Sequence, residues 1–141
     1  MSDEIILVGG STRIPAIVEA WQLGTQSGNA IAQVLFGDYN PAGKIPMTFP
    51  RNVGQVPIYY NHYNTGRPGP KPDVFWSHYS DESTKPLYPF GYGLSYTKFE
   101  YGDIQLSSTK LKGNQKLTAT VAVKNTGSLT GKEVVQLYIR D

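Results

Sequence analysis

The sequence predicts an α/β segment followed by a β segment, neither of them complete. Three observations carry this prediction. A short apolar run ends in a double glycine and leads into two stretches of helical periodicity. The middle of the chain is rich in proline and tyrosine and has no periodicity. From Tyr96 onward, apolar and polar residues alternate with period two. The 141 residues include 15 Gly, 10 Pro and 10 Tyr, a composition that suits turns and packed aromatic loops better than a helical bundle or a disordered tail.

Taken in order, Glu4-Ile5-Ile6-Leu7-Val8 reads as a buried strand that runs into a tight turn at Gly9-Gly10. Ser11 or Thr12 then caps a first helix with Pro15 in its opening turn, where a missing N–H costs little. Ile17, Ala20 and Trp21 recur at helical spacing, and Gly24 is the stop. A second helix is predicted from about Ser27 to Phe36, with Ile31, Val34 and Leu35 on one face and Gly37 ending it. Asn40-Pro41-Ala42-Gly43 reads as a turn, and Ile45 to Phe49 as an extended edge segment, because Pro46 has no N–H to give a central ladder.

Residues 50–89 form a long loop. A structureless stretch of that length is improbable in a compact domain unless it is functional or packed by its own side chains. Tyr59, Tyr60, Tyr63, Phe75, Trp76, Tyr79 and Tyr88 supply the packing material, so an ordered aromatic loop is expected. Beyond it, Phe99 to Leu106 reads as one strand. Leu117, Ala119, Val121 and Val123 form the buried face of a second, Asn125-Thr126-Gly127-Ser128 is turn chemistry, and Val135, Leu137 and Ile139 mark a third. The predicted division is therefore residues 1–95, a partial α/β domain carrying the aromatic loop, and residues 96–141, a partial β-sandwich. A complete sandwich of this kind needs about seven strands and roughly 100 residues. Both ends of the chain read as cut, and a piece of a larger protein is expected.

Several function classes are excluded by composition. With no cysteine there is no disulfide scaffold, thiolate metal site or cysteine nucleophile. The two histidines, His62 and His78, stand without a clustered acid pattern, so no metal or other cofactor is expected. A formal charge of +2 leaves no basic footprint for nucleic acid. No apolar run approaches the roughly 20 residues of a membrane-spanning helix, so no membrane partner is expected, and Ser2-Asp3-Glu4 does not open a signal peptide. Ser77, His78 and Asp81 can be written as a triad, but no strained nucleophile elbow accompanies them.

The remaining candidates are carboxylates and rings. Asp38 follows the helix stop and reads as a turn-stabilising residue, while Asp81 and Glu82 sit side by side in a polar loop where carboxylates are usually solvated. Aromatic faces edged by a few polar groups suit the apolar C–H faces of sugars. Asp73, Phe75, Trp76, His78 and Asp81 have that character and are the candidate substrate-binding residues. Two readings of these rings stay open, a carbohydrate site or plain packing of the loop. Tyr59, Tyr60, Tyr88, Phe90 and Tyr92 read as packing residues.

Longer motifs carry a resemblance. Ala16 to Trp21, the stretch Gly24 to Phe36, Gly37-Asp38-Tyr39-Asn40-Pro41-Ala42-Gly43-Lys44-Ile45-Pro46-Met47-Thr48-Phe49-Pro50, Val56 to His62, and Pro86-Leu87-Tyr88-Pro89-Phe90-Gly91-Tyr92-Gly93-Leu94-Ser95-Tyr96 resemble the C-terminal half of family 3 glycoside hydrolases. Gly131 to Ile139 resembles the start of the fibronectin-type-III-like domain that ends many of these enzymes. The resemblance implies a parent made of a barrel, an α/β sandwich and a fibronectin-type-III-like module, of which this chain is the end of the second and the first strands of the third. It implies a retaining β-glucosidase, periplasmic or secreted, acting on β-linked glucosides or oligosaccharides. The nucleophile would be an Asp of the missing barrel and the acid/base a Glu of the sandwich, so the chain carries no catalytic residue and is expected to be inactive alone. The aromatic loop would line the leaving-group side of a pocket floored by that barrel. Alternatives are a carbohydrate- or protein-binding module without catalysis, and a nucleotide binder. The last rests on Asp3 to Pro15, which resembles a signature of the Hsp70 chaperone ATPase domain and would make Gly9, Gly10, Ser11 and Arg13 nucleotide-binding. The two lobes and phosphate loops that nucleotide binding needs are absent. A half-sandwich with exposed apolar strands also predicts self-association.

Overall fold

The computed structural model describes residues 16–71 and 74–140. The predicted strand at residues 4–8, the Gly9-Gly10 turn and the four nucleotide-binding candidates lie outside the described residues. The chain divides into two compact units, one ending at Tyr39 and one beginning at Asn40.

In the first unit, the helix expected through Ile17, Ala20 and Trp21 is not formed over residues 16–23, which have no regular structure. Trp21 has a positive φ of 48°, a left-handed backbone that no helix interior accommodates. Ile17, Val18, Trp21 and Leu23 are all exposed, and a short amphipathic helix draws most of its stability from burying such a stripe. Gly24, at φ 67°, opens a 3-10 turn over Gly24–Gln26 that leads into the helix α1, Ser27–Leu35. The predicted second helix is thus present. Ile31 and Val34 are half-buried on its inner side while Leu35 is exposed. Gly37 takes φ 84° and donates its N–H to the Val34 carbonyl, ending the helix as expected.

The second unit starts with a correction. No turn forms at Asn40-Pro41-Ala42-Gly43, and the chain reverses earlier, at residues 36–39. Asn40 instead ties distant segments together. Its Nδ2 donates to the Thr130 carbonyl at 3.0 Å, and its Oδ1 accepts from the Ser95 hydroxyl and the Tyr96 N–H, both at 2.8 Å. The next stretch runs beside residues 87–92: Ile45 N–H donates to the Tyr92 carbonyl at 2.8 Å, Gly91 N–H to the Ile45 carbonyl at 2.9 Å, and Phe49 bridges Tyr88 antiparallel. Residues 45 and 49 thus lie antiparallel beside residues 92 and 88, but the extended segment expected over 45–49 is interrupted by a bend at residues 46–47.

The long loop is ordered and closed at its base. Gln55, 1% exposed, sits in the short 3-10 turn Val53–Gln55. Its Oε1 accepts the Arg51 N–H, and its Nε2 donates to the Ser83 carbonyl at 2.7 Å and to the Lys85 carbonyl at 3.4 Å. Arg51 Nε also donates to the Lys85 carbonyl, at 3.1 Å. One buried carboxamide thus brings the two ends of the loop together.

After Tyr96 the strands are β1 Phe99–Tyr101, β2 Gln105–Leu106, β3 Ala119–Thr120 and β4 Val123–Asn125. β1 pairs antiparallel with β4 and β2 with β3. Phe99 faces Asn125 and Tyr101 faces Val123, and Gly102 still donates to the Ala122 carbonyl at 2.9 Å. The register then advances by one residue, so that Gln105 faces Thr120. The two pairs form separate two-stranded sheets, and residues 102–104 between them belong to neither strand, so the single strand expected over Phe99 to Leu106 is split in two. The turn chemistry at Asn125 is as predicted: its Oδ1 accepts the Gly127 N–H at 3.0 Å and the Thr97 hydroxyl at 2.7 Å.

The strand expected over Val135, Leu137 and Ile139 does not form. Side chains fix that stretch to the residues around Gly91 instead. Gln136 Nε2 donates to the Gly91 carbonyl at 3.0 Å, and Glu133 pairs with Lys44 Nζ at 3.5 Å while accepting the Tyr101 hydroxyl at 3.0 Å. Slight desolvation, followed by the bond to Glu133 and its charge, raises the Tyr101 phenol above its usual value near 10. Gly91, at φ 78°, lies so close to the Gln136 carboxamide that a Cβ would overlap it.

Among the described residues no hydrophobic side chain is fully buried, and the two buried residues are Gln55 and Thr97. Leu117, Val135, Leu137 and Ile139, expected on a buried face, are exposed. The alternating pattern creates an apolar face, but among the described residues no second sheet covers these side chains.

Polar ties therefore carry the second unit, and Asn40→Ala removes three of them. At about 0.5–1.5 kcal/mol each, the loss should lower the urea midpoint clearly, while exposed Ser128→Ala leaves it within error. An Asn40→Ala midpoint equal to that of the parent chain would show that the segments are joined by something else.

Candidate functional site

The aromatic loop encloses an open hollow of about 450 Å³. Closure of the loop at Gln55 sets its base, and the irregular backbone on either side supplies its walls. Tyr59, His62 and Tyr63 come from one wall, and Trp76 and His78 from the other. A second set of bonds fixes the distance between the walls: Ser77 N–H donates to the Arg67 carbonyl at 2.9 Å, and the Thr65 hydroxyl donates to Ser77 Oγ at 2.9 Å.

Trp76 is the half-buried centre of the second wall. Its indole stacks on the His78 ring, with centroids 4.3 Å apart and planes 22° apart. It also lies against the Cα of Gly69, where a Cβ would overlap the indole. Gly69 is thus required to be glycine by close approach. His78 Nδ1 lies 2.7 Å from the Trp76 carbonyl, and His62 Nδ1 lies 3.0 Å from the Tyr59 carbonyl. A carbonyl oxygen only accepts, so each Nδ1 carries its proton and each neutral ring keeps its lone pair on Nε2.

Of the residues predicted from sequence, the structure places Trp76 and His78 together at the hollow. Phe75 is exposed, and neither it nor Asp81 is among the residues lining the hollow. Asp73 lies outside the described residues. His62, Tyr63 and Gly69 belong to the site but were not among the predicted residues. The signal for His62 was its place three residues after Tyr59 in an aromatic cluster, and it became informative only when the second histidine proved to share the hollow. Ser77 is engaged with Arg67 and Thr65, and His78 with the Trp76 carbonyl.

The carboxylates do not gather at this site. Glu82 accepts the Ser83 N–H at 2.7 Å and lies 4.0 Å from Arg51 Nε. Asp38 lines a separate open hollow of about 390 Å³ in the first unit, beside Gln26, Asn29 and Gln33. Among the described residues no group of three or more His, Cys, Asp or Glu side chains is arranged to hold a metal ion. No described helix is long and apolar enough to cross a membrane.

The rings expected to pack do so away from the hollow. Tyr60 stacks on Phe90 at 4.4 Å and meets Tyr138 edge-on at 6.2 Å, and Tyr88 stacks on Tyr92 at 5.1 Å and meets Phe49 edge-on at 6.3 Å.

Residues 2–96 match the family described as glycosyl hydrolase family 3 C-terminal domain. The chain belongs to that family. The family 3 match takes in residues 3–15 and gives no support to the Hsp70 resemblance. The chain is 54% identical over 139 residues to a protein named "Periplasmic beta-glucosidase" of Salmonella typhimurium, an alignment that covers 97% of this chain and 18% of that protein. It is 47% identical over 131 residues to a "Beta-xylosidase" of Formosa agariphila, covering 91% of this chain and 17% of the relative. Among solved structures, a β-glucosidase from Listeria innocua superposes with a TM-score of 0.68 at 44% identity, over 76% of this chain and 15% of that one. The chain thus spans less than a fifth of the length of these relatives.

Within the family 3 loop, the contact between Gly69 and Trp76 is directly testable. In a Trp21→Phe background, where Trp76 is the sole fluorophore of its kind, Gly69→Ala should displace the indole, shift its emission to the red and cost about 1–3 kcal/mol by overpacking. Unchanged emission would mean that the indole does not rest on Gly69.

Proposed function

We propose that this chain is the C-terminal portion of a retaining β-glucosidase-type glycoside hydrolase, and that it supports the active site without carrying the nucleophile. The observation that carries the reading is the family match over residues 2–96 together with 54% identity to a β-glucosidase over nearly the whole chain. Retention requires two carboxyl groups about 5–5.5 Å apart, one ionised and one protonated. The hollow among the described residues is lined by rings and amides, with no carboxylate. In this reading the nucleophile is supplied by a barrel domain and the aromatic loop lines the leaving-group side of the pocket. Asp73, Phe75 and Asp81 belong to the same proposed subsite. The substrates are β-linked glucosides or oligosaccharides, in keeping with Listeria relatives solved with glucose and with laminaribiose. A periplasmic or secreted parent is supported by the name of the Salmonella relative.

The finer architecture follows the same reading. Residues 1–95 are the end of an α/β sandwich and residues 96–141 the first strands of a fibronectin-type-III-like domain, with the ties from Asn40, Lys44 and Gly91 to residues 130–136 joining the two. The exposed Val135, Leu137 and Ile139 would be covered in the parent and would drive self-association of the isolated chain.

Two measurements test this. The purified chain should release no nitrophenol from an aryl β-glucoside above a buffer blank, and turnover that survives repurification would overturn the assignment of the nucleophile to another domain. Light scattering should give a mass above that of one chain, and a clean monomer at all concentrations would contradict self-association.

A further inference from the structure

The two histidines share one hollow and the same internal constraint. Each Nδ1–H is held by a main-chain carbonyl, Tyr59 for His62 at 3.0 Å and Trp76 for His78 at 2.7 Å. Each neutral imidazole is therefore left with a single acceptor, Nε2. Among the described residues lining the hollow there is no carboxylate, ammonium or guanidinium group, so nothing there favours a charged ligand. The carboxamide of Gln55, which also lines it, is taken up by Arg51, Ser83 and Lys85. What remains is aromatic surface from Tyr59, Tyr63 and Trp76, the two imidazole acceptors held in place by the backbone, and the smaller polar groups of Asn64, Thr84 and the mutually bonded Thr65 and Ser77, in a volume of about 450 Å³. That is within the range of small-molecule sites, where apolar walls and a few placed polar groups fix orientation.

We propose that His62 and His78 are the polar half of a carbohydrate subsite, each accepting a hydrogen bond at Nε2 from a hydroxyl of an uncharged sugar ring. The proposal rests on the glycosidase reading above and deepens it, moving polar recognition from the carboxylates Asp73 and Asp81 to the two imidazoles. Fixing Nδ1 to the backbone sets the tautomer and the ring orientation in advance, so that little ordering is left for the ligand to impose. The stack on Trp76 holds the His78 ring in the same way.

The test follows the imidazole Cε1–H signals of the whole chain by NMR during a titration with cellobiose. Both histidine signals should move along one saturating curve, and His62→Ala or His78→Ala should each weaken binding about fivefold or more, the worth of roughly one net hydrogen bond. Lys110→Ala, far along the chain from the loop, should bind as the parent does. Saturable binding with both imidazole signals unmoved, or with both alanine variants unaffected, overturns the assignment to histidine and leaves the glycosidase reading standing. The absence of any saturable shift overturns the subsite itself. Turnover of an aryl β-glucoside by the isolated chain is read separately and overturns only the assignment of the nucleophile to another domain.

Discussion

The carboxamide of Asn40 holds together three stretches that are far apart in sequence: its own, the Ser95-Tyr96 corner and the segment at Thr130. The rest of the second unit depends on ties of this kind. Gln55 closes the long loop, Asn125 shapes the turn after β4, and Gln136 fixes the last segment to Gly91. An amide side chain suits this role because it donates from one end and accepts at the other, satisfying two backbone groups from a single position. Each bond is worth only about 0.5–1.5 kcal/mol net, whereas burying one large apolar side chain is worth about 1.5–3 kcal/mol. A unit held by such bonds, with no fully buried hydrophobic side chain described, lacks the usual source of stability. Its large apolar side chains are mostly exposed, and the chain spans less than a fifth of the length of the Salmonella and Formosa relatives.

Glycines set the other half of these contacts. At Gly91, Gly69 and Gly131 a Cβ would overlap Gln136, Trp76 and Asn40 respectively, so the amide and indole groups reach the backbone only because no side chain is there. Gly91 and Gly131 flank the ties around residues 40–44, and Gly69 serves the hollow. The glycine excess visible in the composition is therefore tied to close packing as much as to turns. In the loop this yields a site with walls fixed by hydrogen bonds and with imidazoles of defined tautomer, which are the features a ligand-binding surface needs from a segment without helix or strand.

Local patterns that close within a few residues were legible in the sequence. The helix at Ser27–Leu35, its glycine stop, the turn at Asn125 and a loop packed by its own rings all followed from spacing and turn chemistry. The readings that failed depended on a missing surface. Residues 16–23 have helical spacing but leave Ile17 and Trp21 exposed, and Val135 to Ile139 alternate like a strand but pair with no strand among the described residues. In the loop, the sequence singled out Trp76 and His78 from their aromatic context, whereas His62, distant from them in sequence, is shown to line the same hollow only by the structure.

The sequence by itself determined the family, the identity of the local elements and the kind of chemistry the loop offers, because motif order, periodicity and residue type are written along the chain. Only the tertiary structure decided that the register changes by one residue between Tyr101 and Gln105, that Asn40 ties distant segments instead of making a turn, and that His62 and His78 line the same hollow. Each of these turns on register or on contact between residues distant in sequence. A one-residue slip or a backbone carbonyl at 2.7 Å leaves no trace in composition or spacing, yet it decides which atom faces a ligand.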